Sequence, residues 1–114
     1  MNRDGTSDAL DRLFTAILEA RLERPALSRT ARLIQEGLPK MARKVVEESV
    51  EVVLEAVQGE RQKVVEESAD LVYNLAVLWA EMGISPADIW GEMEWRERTF
   101  GIAGKLPKDA SGRR

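Results

Sequence analysis

The sequence predicts an all-α protein of four to five helices, on three observations. Apolar residues recur at helical rather than strand spacing, and the few prolines and glycines stand where helices should start or stop. One long segment is also apolar on nearly every side. The chain has 114 residues, 44% of them apolar and 32% charged, with 17 basic and 20 acidic side chains. That composition is globular, and the length suits one domain.

Leu10, Leu13, Phe14, Ile17, Leu18 and Leu22 follow the i, i+3, i+4, i+7 pattern of an amphipathic helix, with Thr6 or Ser7 as cap and Pro25 beyond its end. A short second helix is expected from Ser28 to Glu36, stopping at Gly37 in the left-handed C′ position. The third runs from about Pro39 to Gly59; its many valines never alternate strictly, so helix wins over strand. The fourth, Arg61 to Met82, becomes apolar nearly all round after Asp70. Such a helix must be enclosed by protein, and so small a chain has too few helices to enclose it, so the bundle is expected to be completed by dimerisation. Ser85-Pro86-Ala87-Asp88 marks the start of a fifth helix, which runs to about Phe100. Residues 1–100 are read as the domain and 101–114, which lack periodicity, as a flexible tail.

Composition excludes much chemistry. There is no cysteine and no histidine, so thiolate nucleophiles, imidazole bases and zinc sites of the usual kind are out. A metal would have to sit among oxygen ligands, which favours Mg²⁺, Mn²⁺ or Ca²⁺. The net charge of −3 lacks the basic stripe of a nucleic-acid binder. No apolar run is long enough to span a membrane, and the start MNRDGTSDALDR has no secretion-signal core, so a cytoplasmic protein is expected.

Charge is concentrated in one window. Residues 47–70 hold eight acids and two bases, a net −6, whereas the rest of the chain is +3. At about 100° per residue, Glu47, Glu48 and Glu51 share an arc of about 100° on the third helix, and Glu67, Asp70 and Asn74 share about 60° on the fourth. Gly59 provides a turn between them, so the i, i+3 pairs Glu48/Glu51 and Glu67/Asp70 can converge across an antiparallel helix pair. Unpaired carboxylates repel when brought together, and a divalent cation between them removes that cost.

Glutamates on a helix are usually just a solvated face, which would make the chain a non-catalytic helical adaptor. Three features weigh against this. Asp70 and Asn74 interrupt an apolar run, where a buried acid needs a partner. Asp is a weak helix former. Lys40 and Lys44 share the acidic stripe but lie N-terminal to it, the unfavourable order for helix stability, and fit better as phosphate binders.

These residues match a known signature. Glu47-Glu48-Ser49-Val50-Glu51 followed by Glu67-Ser68-Ala69-Asp70 resembles the EExxE…ExxD motif of the MazG-like all-α nucleotide pyrophosphohydrolases. Ser28-Arg29-Thr30-Ala31-Arg32-Leu33, Gly37 with Lys40 and Lys44, Lys44-Val45-Val46-Glu47-Glu48 and Glu67-Ser68-Ala69-Asp70-Leu71-Val72-Tyr73 resemble, in order, motifs of the phosphoribosyl-ATP pyrophosphohydrolases of histidine biosynthesis. The resemblance implies Glu48, Glu51, Glu67 and Asp70 as ligands of Mg²⁺ (or Mn²⁺). It implies Glu47 as holder of a second ion or orienter of the attacking water, Lys40 and Lys44 as phosphate contacts, and Ser28 and Thr30 beside the substrate. The implied reaction is hydrolysis of phosphoribosyl-ATP to phosphoribosyl-AMP and pyrophosphate, and the implied assembly is a homodimer; the sequence does not decide between dimer and tetramer.

Three positions depart from the family pattern: Asn74 stands where histidine is usual, Val46 where glycine is, and Arg29 where tyrosine is. Asn74, one turn beyond Asp70, is placed to face the ligand. The segment GIAGKLPK is similar to house-cleaning relatives, so the alternative is hydrolysis of dCTP, dUTP or modified nucleoside triphosphates.

Overall fold

The computed structural model describes residues 5–101. It bears out the all-helical expectation, with no strand among the described residues. The helices are α1 (Gly5–Ala20), α2 (Arg29–Glu36), α3 (Leu38–Val57), α4 (Arg61–Glu81) and α5 (Pro86–Phe100), with a 3₁₀ turn at Pro25–Leu27. The described residues fall into two compact units, one ending at Ile84 and the other beginning at Ser85. Of the flexible tail expected over residues 101–114, all but Gly101 lies outside the described residues.

In the first unit α3 and α4 form an antiparallel hairpin, α1 packs along α4, and α2 packs on α3. The hairpin turns at Gly59, whose φ of 75° is in the left-handed region. Gly59 N–H donates to the Ala56 carbonyl and Glu60 N–H to that of Glu55, both at 3.0 Å, which satisfies two carbonyls left over at the end of α3. Leu10, Ile17 and Ala20 of α1, Ala31 and Leu33 of α2, Met41 of α3, and Ala76, Val77 and Ala80 of α4 form the core. Ile17, Met41 and Val77 are its largest fully buried apolar side chains, and truncation of a large one to alanine costs about 2–5 kcal/mol. Arg21 donates to the Ala80 carbonyl and to Glu81, each at 3.2 Å, tying the C-terminal end of α1 to that of α4.

Three local expectations are corrected. Helix α1 already begins at Gly5, so Thr6 and Ser7 lie within it rather than at its cap. It ends at Ala20, and Leu22 is 90% exposed: the apolar stripe runs on past the last turn that has a partner. Gly37 has φ 94° but ψ 175°, outside the left-handed helical basin, because the one residue closes α2 and also opens α3.

Most of the apolar second half of α4 is covered within the unit. The longest exposed apolar stripe lies on α3 instead: Val46, Val50, Val53, Leu54 and Val57, each at least 48% exposed, with Val65 and Val72 of α4 also open. The spacing 46, 50, 53, 54, 57 keeps the stripe on one side of α3.

In the second unit α5 opens with the expected capping box. Ser85 N–H donates to Asp88 Oδ2 at 2.9 Å, the Ser85 hydroxyl accepts from Asp88 N–H, and Pro86 fills the first turn. Farther along, Arg96 pairs with Glu92 at 3.0 Å, and the rings of Trp95 and Phe100 meet edge to face at 5.5 Å.

Candidate active site

The α3–α4 hairpin brings acids from both helices together. Glu48 of α3 and Glu67 and Asp70 of α4 each offer a carboxylate oxygen, and these oxygens lie within 4.8 Å of one another; all three side chains are half-buried. Among the described residues this is the one such group of three. Glu67 and Asp70 are three residues apart and so share a face, while the turn at Gly59 sets Glu48 opposite them. The Glu67 carboxyl is held above the usual carboxylate range. The largest cause is side-chain hydrogen bonding with Glu48, which favours the protonated form; burial follows, then repulsion from Glu48, Asp70 and Glu51. Glu51 contributes to that field but is not one of the three converging acids.

Lys44 borders the cluster. Its ammonium lies 3.5 Å from Glu47 and 3.8 Å from Glu48, so one cation serves two acids despite the unfavourable order along the helix. Glu47 stands at the rim with its side chain 52% exposed, whereas that of Glu48 is only 16% exposed.

Asn74 is 1% exposed. Its amide Nδ2 donates to the Asp70 carbonyl at 2.8 Å, which fixes the orientation of the amide and leaves Oδ1 buried with no partner. Ser28 is occupied as the cap of α2, its hydroxyl accepting from Ala31 N–H at 2.9 Å. The Thr30 hydroxyl and Tyr73 hydroxyl are 2.6 Å apart, joining α2 to α4. The Arg29 guanidinium lies over the Tyr73 ring, 4.9 Å from its centre.

These groups line two adjoining hollows. A pocket of about 220 Å³ lies among Arg29, Arg32, Glu36, Lys40, Lys44 and Asn74. A more open one of about 360 Å³ is bounded by Arg29, Thr30, Asp70 and Tyr73. Arg29 borders both. An acidic centre with a cationic pocket beside it is suited to a substrate that carries several phosphates and is bound at one end through a divalent cation. Sequence reasoning had assigned no role to Arg32, Glu36 or Tyr73 and had noted Arg29 only as a departure. The spacing of Arg29, Arg32, Leu33 and Glu36, which puts them on one face of α2, was the available signal.

A family model described as phosphoribosyl-ATP pyrophosphohydrolase matches residues 10–97. The chain belongs to the phosphoribosyl-ATP pyrophosphohydrolase family. It is 57% identical over 107 residues to phosphoribosyl-ATP pyrophosphatase 2 of Rhodopseudomonas palustris, covering 94% of this chain and 82% of the relative. It is 59% identical over 104 residues to the protein of that name from Bradyrhizobium diazoefficiens, covering 91% and 78%. A more distant relative, the phosphoribosyl-ATP pyrophosphatase of Saccharolobus solfataricus, is 39% identical over 93 residues, covering 82% of this chain and 99% of the relative. The span matched to the phosphoribosyl-ATP pyrophosphohydrolase family contains every residue of the acidic centre and of both hollows. Membership in this family makes the chain an enzyme rather than an adaptor. No described helix is long and apolar enough to cross a membrane.

Proposed function

We propose that this chain is a cytoplasmic, Mg²⁺-dependent hydrolase that cleaves phosphoribosyl-ATP to phosphoribosyl-AMP and pyrophosphate, the second step of histidine biosynthesis. The observation that carries the reading is the convergence of Glu48, Glu67 and Asp70 beside a pocket lined by four cations, in a chain whose close relatives bear the substrate's name. Those relatives favour phosphoribosyl-ATP over dCTP, dUTP or modified nucleotides.

The donor set fits Mg²⁺. All the donors are carboxylate oxygens, the ligand type that Mg²⁺ prefers, and they lie within 4.8 Å of one another. The raised Glu67 carboxyl marks charge that the protein alone leaves only partly compensated. Glu48, Glu67 and Asp70, with Glu51 a turn away, would hold the ion; Mn²⁺ satisfies the same donors. When bound, the ion neutralises phosphate oxygens and acidifies a coordinated water.

The chain's own groups do the rest. Glu47, exposed at the rim, takes the proton of the attacking water, since no histidine is available. The water oxygen bonds to phosphorus at the α–β anhydride as the bridging P–O bond breaks, giving the nucleoside monophosphate and pyrophosphate. Lys44, at the carboxylate edge, offsets charge on the departing pyrophosphate, and Lys40 extends the cationic wall. Ser28 and Thr30 hold the start of α2 and the Tyr73 hydroxyl beside the substrate, and Asn74 offers it a buried acceptor.

The assembly in this reading is a homodimer or tetramer, the valine stripe of α3 being the surface a second copy would cover. Pyrophosphate release from phosphoribosyl-ATP, with and without Mg²⁺, tests the reading. Glu51→Gln should lower kcat by about 100-fold or more while retaining wild-type helicity. Full activity in that variant, or turnover undiminished by chelator, overturns the mechanism.

A further inference from the structure

We infer that the 220 Å³ pocket between α2 and α3 seats the phosphoribosyl group of the substrate, with Arg29, Arg32 and Lys40 on its phosphate and Asn74 Oδ1 and Glu36 accepting from its hydroxyls. The inference rests on the enzyme reading above and assigns part of the substrate to a place in the fold.

Three observations carry it. First, the pocket is smaller than the roughly 300 Å³ and upward of a site that encloses a whole small molecule, so it takes one fragment of a large nucleotide. Second, its cations exceed what the reacting end requires. Lys44 is engaged with Glu47 and Glu48, but among the described residues Arg29, Arg32 and Lys40 face no carboxylate within ion-pair distance. Arg29 and Arg32 project from one face of α2, and guanidinium groups suit the planar, two-pronged recognition of a terminal phosphate. Third, the pocket is not purely cationic. Asn74 Oδ1 is buried and unpartnered, its amide nitrogen being spent on the Asp70 carbonyl, and a buried acceptor left so calls for a donor. Glu36 supplies a second acceptor. A polyphosphate has no protons to give and would be repelled by both, whereas a pentose phosphate offers hydroxyl donors and a phosphate together.

The test separates this inference from the enzyme reading. Chemical-shift titrations of the full chain with ribose 5-phosphate, inorganic phosphate and ribose read the pocket without turnover. Ribose 5-phosphate should bind at least about tenfold more tightly than either fragment, and Arg32→Ala should weaken it about tenfold or more. Arg32→Lys should recover part of the loss. In steady state Arg32→Ala should raise KM for phosphoribosyl-ATP by a similar factor, while the inhibition constant of pyrophosphate, which reports on the carboxylate end, moves much less. Inorganic phosphate binding as well as ribose 5-phosphate, or Arg32→Ala leaving ribose 5-phosphate unaffected, overturns the assignment. Binding of ribose 5-phosphate by a wild-type chain that does not cleave phosphoribosyl-ATP would refute the enzyme reading and uphold the pocket.

Discussion

Asp70→Asn is expected to reverse sign with magnesium. Each pair of acids in the cluster has oxygens within 4.8 Å. At that distance two unit charges repel by about 0.9 kcal/mol even with the full screening of water, and by more in a half-buried setting. Removing the charge of Asp70 relieves its repulsion with Glu48 and with Glu67, so the metal-free variant should be more stable than wild type by about 1–2 kcal/mol. At about 4 °C per kcal/mol for a chain of this size, that is a rise in Tm of about 4–8 °C in chelator. Magnesium at one hundred times its Kd should stabilise the wild type by about 2.7 kcal/mol, or roughly 10 °C, and the variant by little. The order of the two melting curves should therefore cross. Thermal melts of both proteins at fixed ionic strength and protein concentration, with chelator and with Mg²⁺, read this directly. Two curves that keep the same spacing in both conditions, or a wild-type Tm indifferent to Mg²⁺, would refute the convergence of these acids on a shared ion.

Protonation gives a related expectation. Because Glu67 takes up a proton more readily folded than unfolded, the stability it confers without metal is complete below the ordinary carboxylate range and is lost as pH rises through its raised value. The Tm difference between wild type and Glu67→Gln in chelator should accordingly drift against the wild type as pH increases, and a difference flat with pH would contradict it. Val53→Asp, a charge in the middle of the exposed α3 stripe, should shift sedimentation or light scattering to the mass of a monomer with helicity kept; an unchanged oligomer would move the interface elsewhere. Tyr73→Phe removes the 2.6 Å bond to Thr30 and should cost about 1 kcal/mol, or about 4 °C in Tm.

How much of this was legible in the sequence depended on the range of the interaction. The Ser85–Asp88 capping box, the Ser28 cap and the glycine turn between α3 and α4 are set by residues a few positions apart, and local chemistry sufficed to place them. The carboxylate pairing could be anticipated because a tight turn leaves two helices one way to pack, which puts Glu48 across from Glu67 and Asp70. Glu51, with the same periodicity, acts on Glu67 but is not one of the three converging acids, a distinction that periodicity does not carry. The Thr30–Tyr73 bond spans 43 residues, and the Arg29 stack on the same ring is as distant; both depend on how α2 lies across α4. For Asn74 position alone suggested a ligand-facing role, but only the bond to the Asp70 carbonyl shows which atom is left over. The unpartnered apolar surface was sought on α4 and lies more on α3, because α1 lies along α4.

The acidic centre is contained within a short stretch of chain, residues 48–70, closed by one turn. Contacts so near in sequence form early, before distant segments such as α1 dock. In that order of assembly the like charges would meet while the polypeptide is still folding, and their repulsion would slow the closure. Refolding in magnesium should therefore be faster than in chelator, with the cation acting as a nucleating template as well as a tenant of the finished site.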